Sequence, residues 1–364
     1  MRFDDDFDND SNSVSSVMYM VLGVSFFILF LFGVILLVNK DDNSSDHHSA
    51  TVKERETVDE ITVSSLTADD LDIWDMYPVE ETLSQEDSTE ADKNKPEPTL
   101  SAEERQAKID EEMNDGKHYR LELADGTHEW LTINPSIEKN KIDPVDLVSN
   151  NGYLKYYGGG RSFLGIDISK YNGNIDFARV KSSGIDYCMI RVGARGYKTG
   201  ILTMDDNFST NIAAATEAGL DVGVYFYSQA ISVEEAVEEA NYVIDAIKDY
   251  QIKYPVAIDM ELVDNDLSRV ETLSKDERTS ITAAFLNQIS SAGYRPMIYG
   301  NKEWLMKKIT LSSFDSSMIW LSDPADNTDY PYNFSMWQYS NTGLVDGVDT
   351  EVDMNICFVD YSAM

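Results

Sequence analysis

The sequence is poor in the residues on which many active sites and small folds depend. Only two cysteines, Cys188 and Cys357, occur in 364 residues, which excludes a disulfide-stapled scaffold and a four-cysteine zinc site. All four histidines precede residue 129, so the rest of the chain has no Ser-His-Asp triad, Cys-His pair or histidine-ligated metal. Chemistry there must use carboxylates, tyrosines or lysines, and we expect neither a metal nor a cofactor.

Basic charge is also scarce. The chain carries 29 Lys and Arg against 65 Asp and Glu, a net charge of -36. This excess of negative charge argues against binding to a phosphate backbone, so no nucleic-acid partner is expected. The chain is long enough for about two domains. Because 42% of its residues are hydrophobic, it can also bury a core.

One long apolar run follows an acidic N-terminal tail at 1–16. Residues 17–38 are uncharged and, as a helix, would span about 33 Å, which predicts a transmembrane helix. A cleaved signal peptide fits less well, because the leader is acidic and no small-residue cleavage site follows the run. The chain is therefore expected to have the membrane as a partner, through this single helix.

Two further segments precede the C-terminal part. Residues 39–115 are predicted to be a disordered acidic linker, since 41–110 holds 21 acidic against 6 basic residues. Residues 116–160 are predicted to form a small β element, with a hairpin that turns in two residues at Asp125 and Gly126. His118 and His128 lie on this hairpin, where they are either half of a metal site or, the commoner case, exposed strand residues.

From residue 161 to 364, short apolar strands alternate with helical periodicity, which predicts a mixed α/β fold, an irregular (β/α) TIM-like barrel. After Trp304 only loops and short turns separate the strands. Cys188 and Cys357 lie on strands that flank the first, so we expect buried free thiols. Strands are predicted at 163–168, 187–192, 222–227, 256–262, 297–299, 318–321, 334–339 and 352–358, and helices at 207–218, 233–250 and 275–292.

Four acidic residues lie in these apolar strands, near the predicted strand ends. They are Asp167, Asp259, Glu261 and Asp353. An unpaired buried acid costs several kcal/mol, so the recurrence at similar depths requires a reason. A cation site or hydrogen-bonded strand ends would explain any one of them. Because active sites of such barrels lie at the carboxyl ends of the strands, the four together favour carboxylate catalysis of glycoside hydrolysis.

Asp259 and Glu261 are two residues apart, which places both on the same face of one predicted strand. Crowding of carboxylates raises the pKa of at least one of them, as a general acid near neutral pH requires. The spacing alone leaves the retaining and inverting mechanisms open.

Several segments together resemble the glycoside hydrolase family 25 muramidases, the lysozymes of the Chalaropsis type. They run in order from about residue 162 to the C-terminus and read GIDISKYNG, MIRVGARGY, DVGVYFYSQA, YPVAIDMEL, GYRPMIYGNKEWL and MWQYSNTGLVDGVDTEVDMN. The resemblance implies an irregular (β/α) barrel that cleaves the β-1,4 bond between N-acetylmuramic acid and N-acetylglucosamine in peptidoglycan. Residues 1–160 are not covered.

The resemblance also assigns roles. It makes Glu261 the proton donor, Asp259 the partner that orients or stabilises the reacting sugar, and Asp167 and Asp353 flanking acids that tune the pair. Because it implies a 2-acetamido sugar, we favour substrate assistance. Asp346 is a candidate substrate contact, at a position that is acidic in only some relatives.

Further residues near strand ends are candidate substrate contacts, although packing in the barrel explains each aromatic residue equally well. Arg191 is expected to pair with Asp167 or to contact substrate, and Gln338 and Asn355 are weaker candidates for polar contacts. The aromatic candidates are Tyr225, Tyr227, Tyr299, Trp320, Trp337 and Tyr339.

Function and charge disagree on membrane orientation. Arg2 precedes the apolar run and Lys40, Lys53 and Arg55 follow it, a count that favours a cytoplasmic C-terminus. A muramidase requires its barrel on the extracytoplasmic side of the cell membrane, and we adopt that orientation. The alternatives are a catalytically idle wall-binding or assembly protein that keeps the groove, and a related hydrolase acting on chitin.

Overall fold

The computed structural model describes residues 101–123, 125–263 and 267–364. The tail at 1–16, the apolar run at 17–38 and the linker up to residue 100 lie outside this part of the chain. Within it, no helix combines the length and the apolarity needed to cross a bilayer.

The secondary structure begins with a helix and two small hairpins and continues as strand and helix in alternation. The helices are α1 Ala102–Met113, α2 Phe177–Ser182, α3 Phe208–Glu217, α4 Val233–Ile247 and α5 Lys275–Ser291. The strands of the hairpins are β1 His118–Glu122, β2 His128–Thr132, β3 Leu147–Asn150 and β4 Tyr153–Tyr156. The later strands are β5 Phe163–Ile168, β6 Tyr187–Arg195, β7 Leu202–Met204, β8 Asp221–Ser228, β9 Val256–Met260, β10 Pro296–Asn301, β11 Ile319–Ser322, β12 Met336–Gly343 and β13 Val352–Cys357.

Eight strands close into a barrel in the order β5-β6-β8-β9-β10-β11-β12-β13, with β13 returning to β5. All neighbours are parallel except at β13, which runs antiparallel to both β12 and β5. The short β7 pairs with the outer part of β6. The predicted barrel is confirmed, and its irregular closure consists of this one reversed strand.

Local sequence explains where the elements begin and why the strands are so apolar. Barrel strands pack against helices on one face and against each other's side chains on the inner face, so they read as continuous apolar runs. α4 begins at Ser232, whose hydroxyl accepts a hydrogen bond from the Glu235 amide. α5 begins with a reciprocal capping box between Ser274 and Glu277.

The core has two layers, one inside the barrel and one between the sheet and the elements that cover it. Cys357 packs in the inner layer and Cys188 in the outer layer, so the strands separate the two thiols. Both cysteines are buried and free, which confirms the prediction.

The small β element packs on the barrel. The Tyr119 hydroxyl donates to Asp329 at 2.9 Å, and Lys139 forms an antiparallel bridge with Tyr332. Two details differ from the sequence prediction. The last pair of the first hairpin is Glu122 with His128, so its connection is longer than the predicted two residues. Ala102–Met113, inside the predicted disordered linker, is helical.

Candidate active site

Asp167 and Asp353 face each other at one mouth of the barrel. Asp167 lies near the end of β5, Asp353 lies at the start of β13, and the antiparallel register pairs them directly. A hydrogen bond joins their carboxyl groups. Because β13 runs against the other strands, its beginning meets the carboxyl end of β5.

Asp259 and Glu261 come from the end of β9. The strand ends at Met260, so Glu261 lies in the following loop, and the prediction that both acids belong to one strand is wrong. Their carboxyl groups are nevertheless joined by a hydrogen bond. Asp259 is only 1% exposed, whereas Glu261 is half-buried and lies nearer the solvent.

The two pairs of acids affect each other's protonation. Burial raises the pKa of Asp167, and burial together with the charge of Asp167 raises the pKa of Asp353 to about 8. Burial and the charge of Glu261 raise the pKa of Asp259 well above its usual range, with a further contribution from Asp167. The cluster therefore holds protons at neutral pH, because like charges this close do not all ionise.

Two amide side chains hold Asp167 in place. Its Oδ2 accepts hydrogen bonds from Asn355 Nδ2 at 2.7 Å and from Gln338 Nε2 at 2.9 Å. The amide oxygens are engaged in turn, since Trp320 Nε1 donates to Asn355 at 2.8 Å and the Tyr299 hydroxyl donates to Gln338 at 3.0 Å. The network connects the acids to the aromatic side chains beside them.

Those aromatic side chains form one wall inside the barrel. The Trp320 ring lies 4.8 Å from the Tyr299 ring and 6.0 Å from the Tyr225 ring, both nearly perpendicular to it. Tyr227 is the register partner of Asp259 on the adjacent strand. The Tyr225 hydroxyl is buried and lacks a hydrogen-bond partner within the described part of the chain, and burial raises its pKa well above its usual range.

A closed barrel with clustered acids at one mouth is the arrangement that the sequence predicts. The sequence profile of the glycosyl hydrolases family 25 matches residues 166–348, half of the chain. This chain belongs to glycosyl hydrolases family 25.

Two curated relatives and a solved structure illustrate the similarity. The chain is 23% identical over 192 residues to the autolytic lysozyme of Clostridium acetobutylicum, covering 52% of this chain and 54% of that protein. It is 26% identical over 204 residues to Lysozyme M1 of Streptomyces globisporus, covering 52% and 66%. The modular autolysin LytC from Streptococcus pneumoniae, solved in complex with a synthetic peptidoglycan ligand, superposes with a TM-score of 0.49 at 21% identity, covering 66% of this chain and 56% of LytC. The chain thus spans about half the length of the Clostridium and Streptococcus proteins.

Trp337 and Tyr339 lie on the outer face of the family 25 barrel, away from the acids. Between them, Gln338 points inward to Asp167, as alternation along β12 requires. Trp337 Nε1 donates to the Asp323 carbonyl at 2.9 Å, and the Tyr339 hydroxyl donates to the Gly152 carbonyl at 3.0 Å. These contacts join the barrel to its covering loops, so we leave both residues out of the proposed substrate site.

Arg191 is buried at the mid-depth of β6 and pairs with Asp205, not with the predicted partner Asp167. Its Nη2 lies 2.7 Å from Asp205 Oδ2, and its guanidinium lies over the Tyr171 ring at 5.0 Å. The Arg191 charge also opposes the rise in the pKa of Asp259. Asp205 was missed because nothing in its spacing from Arg191 indicates the pairing.

Asp346 lies in the loop before β13 and forms an ion pair with Arg179 of α2. Its side chain is 58% exposed, in contrast to the buried acids of the cluster. The ion pair thus connects Asp346 to α2, and we leave Asp346 out of the proposed substrate site.

The hairpin histidines contact acidic side chains instead of projecting freely from the strands. His118 Nδ1 lies 3.0 Å from Asp115, and His128 Nε2 lies 2.9 Å from Asp110 of α1. Across residues 101–123, 125–263 and 267–364, no group of three or more His, Cys, Asp or Glu side chains is arranged to hold a metal ion.

Proposed function

We propose that this protein is a peptidoglycan hydrolase that cleaves the β-1,4 bond between N-acetylmuramic acid and N-acetylglucosamine. The observation that carries the proposal is the meeting of Asp167, Asp259, Glu261 and Asp353 at one mouth of a closed barrel. Membership of family 25 supports glycoside hydrolysis. The names of the relatives, an autolytic lysozyme and Lysozyme M1, support peptidoglycan as the substrate.

Glu261 is the proton donor in this proposal. Glu261 is half-buried while Asp259 is 1% exposed, so Glu261 is the member of the pair that a glycosidic oxygen can reach from the solvent. It protonates the glycosidic oxygen as the bond between that oxygen and the anomeric carbon breaks. The acetamido oxygen of the same sugar bonds to the anomeric carbon as the leaving group departs. A water molecule then attacks the anomeric carbon, the bond to the acetamido oxygen breaks, and the water gives a proton to Glu261, which restores the starting state.

Asp259 assists through the 2-acetamido group of the substrate. The substrate proposed here carries this group on the reacting sugar, and Asp259 lies beside Glu261 at the end of β9. We therefore assign the attack on the anomeric carbon to the acetamido oxygen, while ionised Asp259 accepts a hydrogen bond from the acetamido N–H. Positive charge developing on that group is stabilised by the carboxylate.

The remaining residues tune and line the site. Asp167 and Asp353 hold a proton between them and limit the negative charge beside the reacting pair. The inward rings of Tyr225, Tyr299 and Trp320 are at most 7% exposed and pack together beside the acids, so in this proposal they form the floor of the sugar site. Tyr227 lies beside Asp259 in the register and completes the proposed contacts.

A catalytically idle wall-binding protein with the same groove is the competing function. A groove that only binds glycan has no need for four acids crowded at one barrel mouth, where burial and neighbouring charges raise the pKa of Asp259 and Asp353. Wall binding without cleavage by the wild-type protein would favour the idle function. Cleavage of chitin in preference to peptidoglycan would favour the other alternative, a chitin-directed hydrolase.

The direct test is Glu261→Gln, which keeps the size of the side chain but cannot donate the proton. We expect the full-length variant to fold and to lose muramidase activity by at least about 100-fold, the scale of general acid catalysis. Glu271→Gln is the matched control, because it removes the same charge from an exposed side chain on the same connection. Undiminished glycan cleavage by Glu261→Gln would refute the assignment.

We also propose the arrangement of the whole chain. The acidic tail at 1–16 precedes a membrane anchor at 17–38, an acidic linker from 39 to the start of α1 gives reach, and the barrel works on the extracytoplasmic side of the cell membrane. The uncharged run and the acidic composition of the following segment support this arrangement.

A further inference from the structure

Another buried acid, Glu239, lies outside the carboxylate cluster. It belongs to α4 and is fully buried. Its Oε1 accepts a hydrogen bond from Arg195 Nε at 2.7 Å, and its Oε2 accepts one from the Ser228 hydroxyl at 2.6 Å. The main-chain N–H of Gln229 donates to the same carboxylate. Since Ser228 ends β8, Glu239 fixes the turn that follows this strand.

Gln229, in that turn, is hydrogen-bonded to the proposed proton donor. Its side chain is fully buried. The amide Nε2 donates to the main-chain oxygen of Glu261 at 2.9 Å and to the Tyr227 hydroxyl at 3.3 Å. Glu261 lies just beyond the end of β9, where the strand ladder no longer holds it, so this hydrogen bond supplies a fixed point.

Stability alone is a weak reason for this arrangement. Desolvation of a buried carboxylate and of a buried guanidinium offsets much of their attraction, and apolar side chains of similar size often serve stability equally well. Such a network does fix geometry, because each member has few alternative partners in the interior. The geometry fixed here is that of the turn beneath Glu261.

We propose that Glu239 and Gln229 are positioning residues for the proton donor, acting through the turn after β8 on the main chain of Glu261. The inference rests on the proposed function, and it adds how Glu261 is held for the reaction. Misplacement of a reacting group by about 1 Å costs on the order of 100-fold in rate, so loss of either residue should lower kcat. Neither residue needs to touch the substrate, and Tyr227, to which Gln229 also donates, is held within β8, so KM should change much less than kcat.

The test compares full-length variants on peptidoglycan at a temperature well below their unfolding transitions. Gln229→Met keeps the volume but removes the donor to Glu261, and Glu239→Gln removes the charge at the turn. We expect kcat to fall about 10- to 100-fold in each, with KM within about 3-fold of the wild-type value. Glu238→Gln is the matched control, since Glu238 also contacts Arg195, at 2.7 Å, but is 60% exposed on the same helix. Its kcat should equal that of the wild type.

The double variant Gln229→Met/Glu239→Gln tests whether the two residues act on one path. We expect it to lose no more activity than the worse single variant, because both losses displace the same group. Multiplied losses, an unchanged kcat in Gln229→Met, or a fall that only follows the unfolded fraction would each overturn the inference. If the wild type cleaves peptidoglycan, such a result leaves the proposed function standing. A wild type that does not cleave it overturns the proposed function, and this inference with it.

Discussion

The Asp353 carboxyl group keeps its proton to a higher pH than an ordinary aspartate. It is buried beside Asp167, and these two causes raise its pKa from 3.8 to about 8. Between those values the folded protein binds more protons than the unfolded chain. Stability therefore falls as the pH rises through this window, so the cluster lowers the stability of the fold at neutral pH.

Replacing Asp353 with Asn should make stability less dependent on pH. The variant has no carboxyl group to ionise at this position, so it should avoid a loss on the order of a few kcal/mol between about pH 4 and 8. Urea unfolding of both proteins across this range measures the difference. Asp346→Asn, at an exposed acid, is the control and should keep the wild-type pH dependence. Equal slopes for wild type and Asp353→Asn would contradict the account.

The sequence predicted the acids of the site but not the groups that hold them. Strand-end positions and the family resemblance placed Asp167 and Asp353 beside the proposed catalytic pair, Asp259 and Glu261. Their direct pairing depends on the register of β13 against β5, which a single sequence does not encode in any readable spacing. For the same reason, the sequence did not predict that Gln338 and Asn355 donate hydrogen bonds to Asp167, although both were candidates for polar contacts.

At the scale of elements, β12 places side chains on both the inner and the outer face of the barrel. Gln338 reaches the acids, while Tyr339 reaches outward to the second small hairpin. The Tyr339 hydroxyl donates to the Gly152 carbonyl and accepts from the Leu154 amide at 3.2 Å. Tyr339 therefore connects the hairpin formed by β3 and β4 to the barrel.

Tyr339→Phe should loosen the hairpin while preserving catalysis. Loss of the hydroxyl leaves the Leu154 amide without its partner, at a cost of about 1 to 3 kcal/mol. Hydrogen exchange should accelerate in residues 147–156, with kcat and KM for peptidoglycan unchanged. A raised KM with unchanged exchange would instead support the role in substrate contact that the sequence first indicated.

Most barrel elements were predictable because their apolar runs and helix caps are local signals. β5 was predicted with its observed bounds, and α4 and α5 differ from prediction only at their ends. The end of β9 was not predictable, since the strand stops two residues early although the alternation of apolar Met260 with Leu262 continues past its end. The helix α1 was not predicted, because its acidic composition resembles that of the linker. Its Asp110 accepts hydrogen bonds from His128 and Trp130, which attach it to the first hairpin.

At the scale of the whole molecule, acidity is unevenly divided. Residues 41–110 carry 21 acidic and 6 basic side chains, so a large share of the net charge of -36 precedes the barrel. From this composition we predict a self-repelling spacer. An extended tether is what the proposed arrangement requires between a membrane anchor and a barrel that reaches the cell wall.

Protease treatment of intact cells tests this topology. With the barrel on the extracytoplasmic side, an added protease should cleave within residues 41–100 and release the barrel, while a cytoplasmic control protein stays intact. Protection of this segment until the cells are lysed would indicate the cytoplasmic orientation that the count of basic residues favours.

Mass spectrometry of peptidoglycan digested by the full-length protein tests the central claim most directly. The account predicts fragments with N-acetylmuramic acid at the new reducing end, formed by the wild type and absent with Glu261→Gln. A new reducing end on N-acetylglucosamine, or the same muramic-acid fragments from Glu261→Gln, would contradict it.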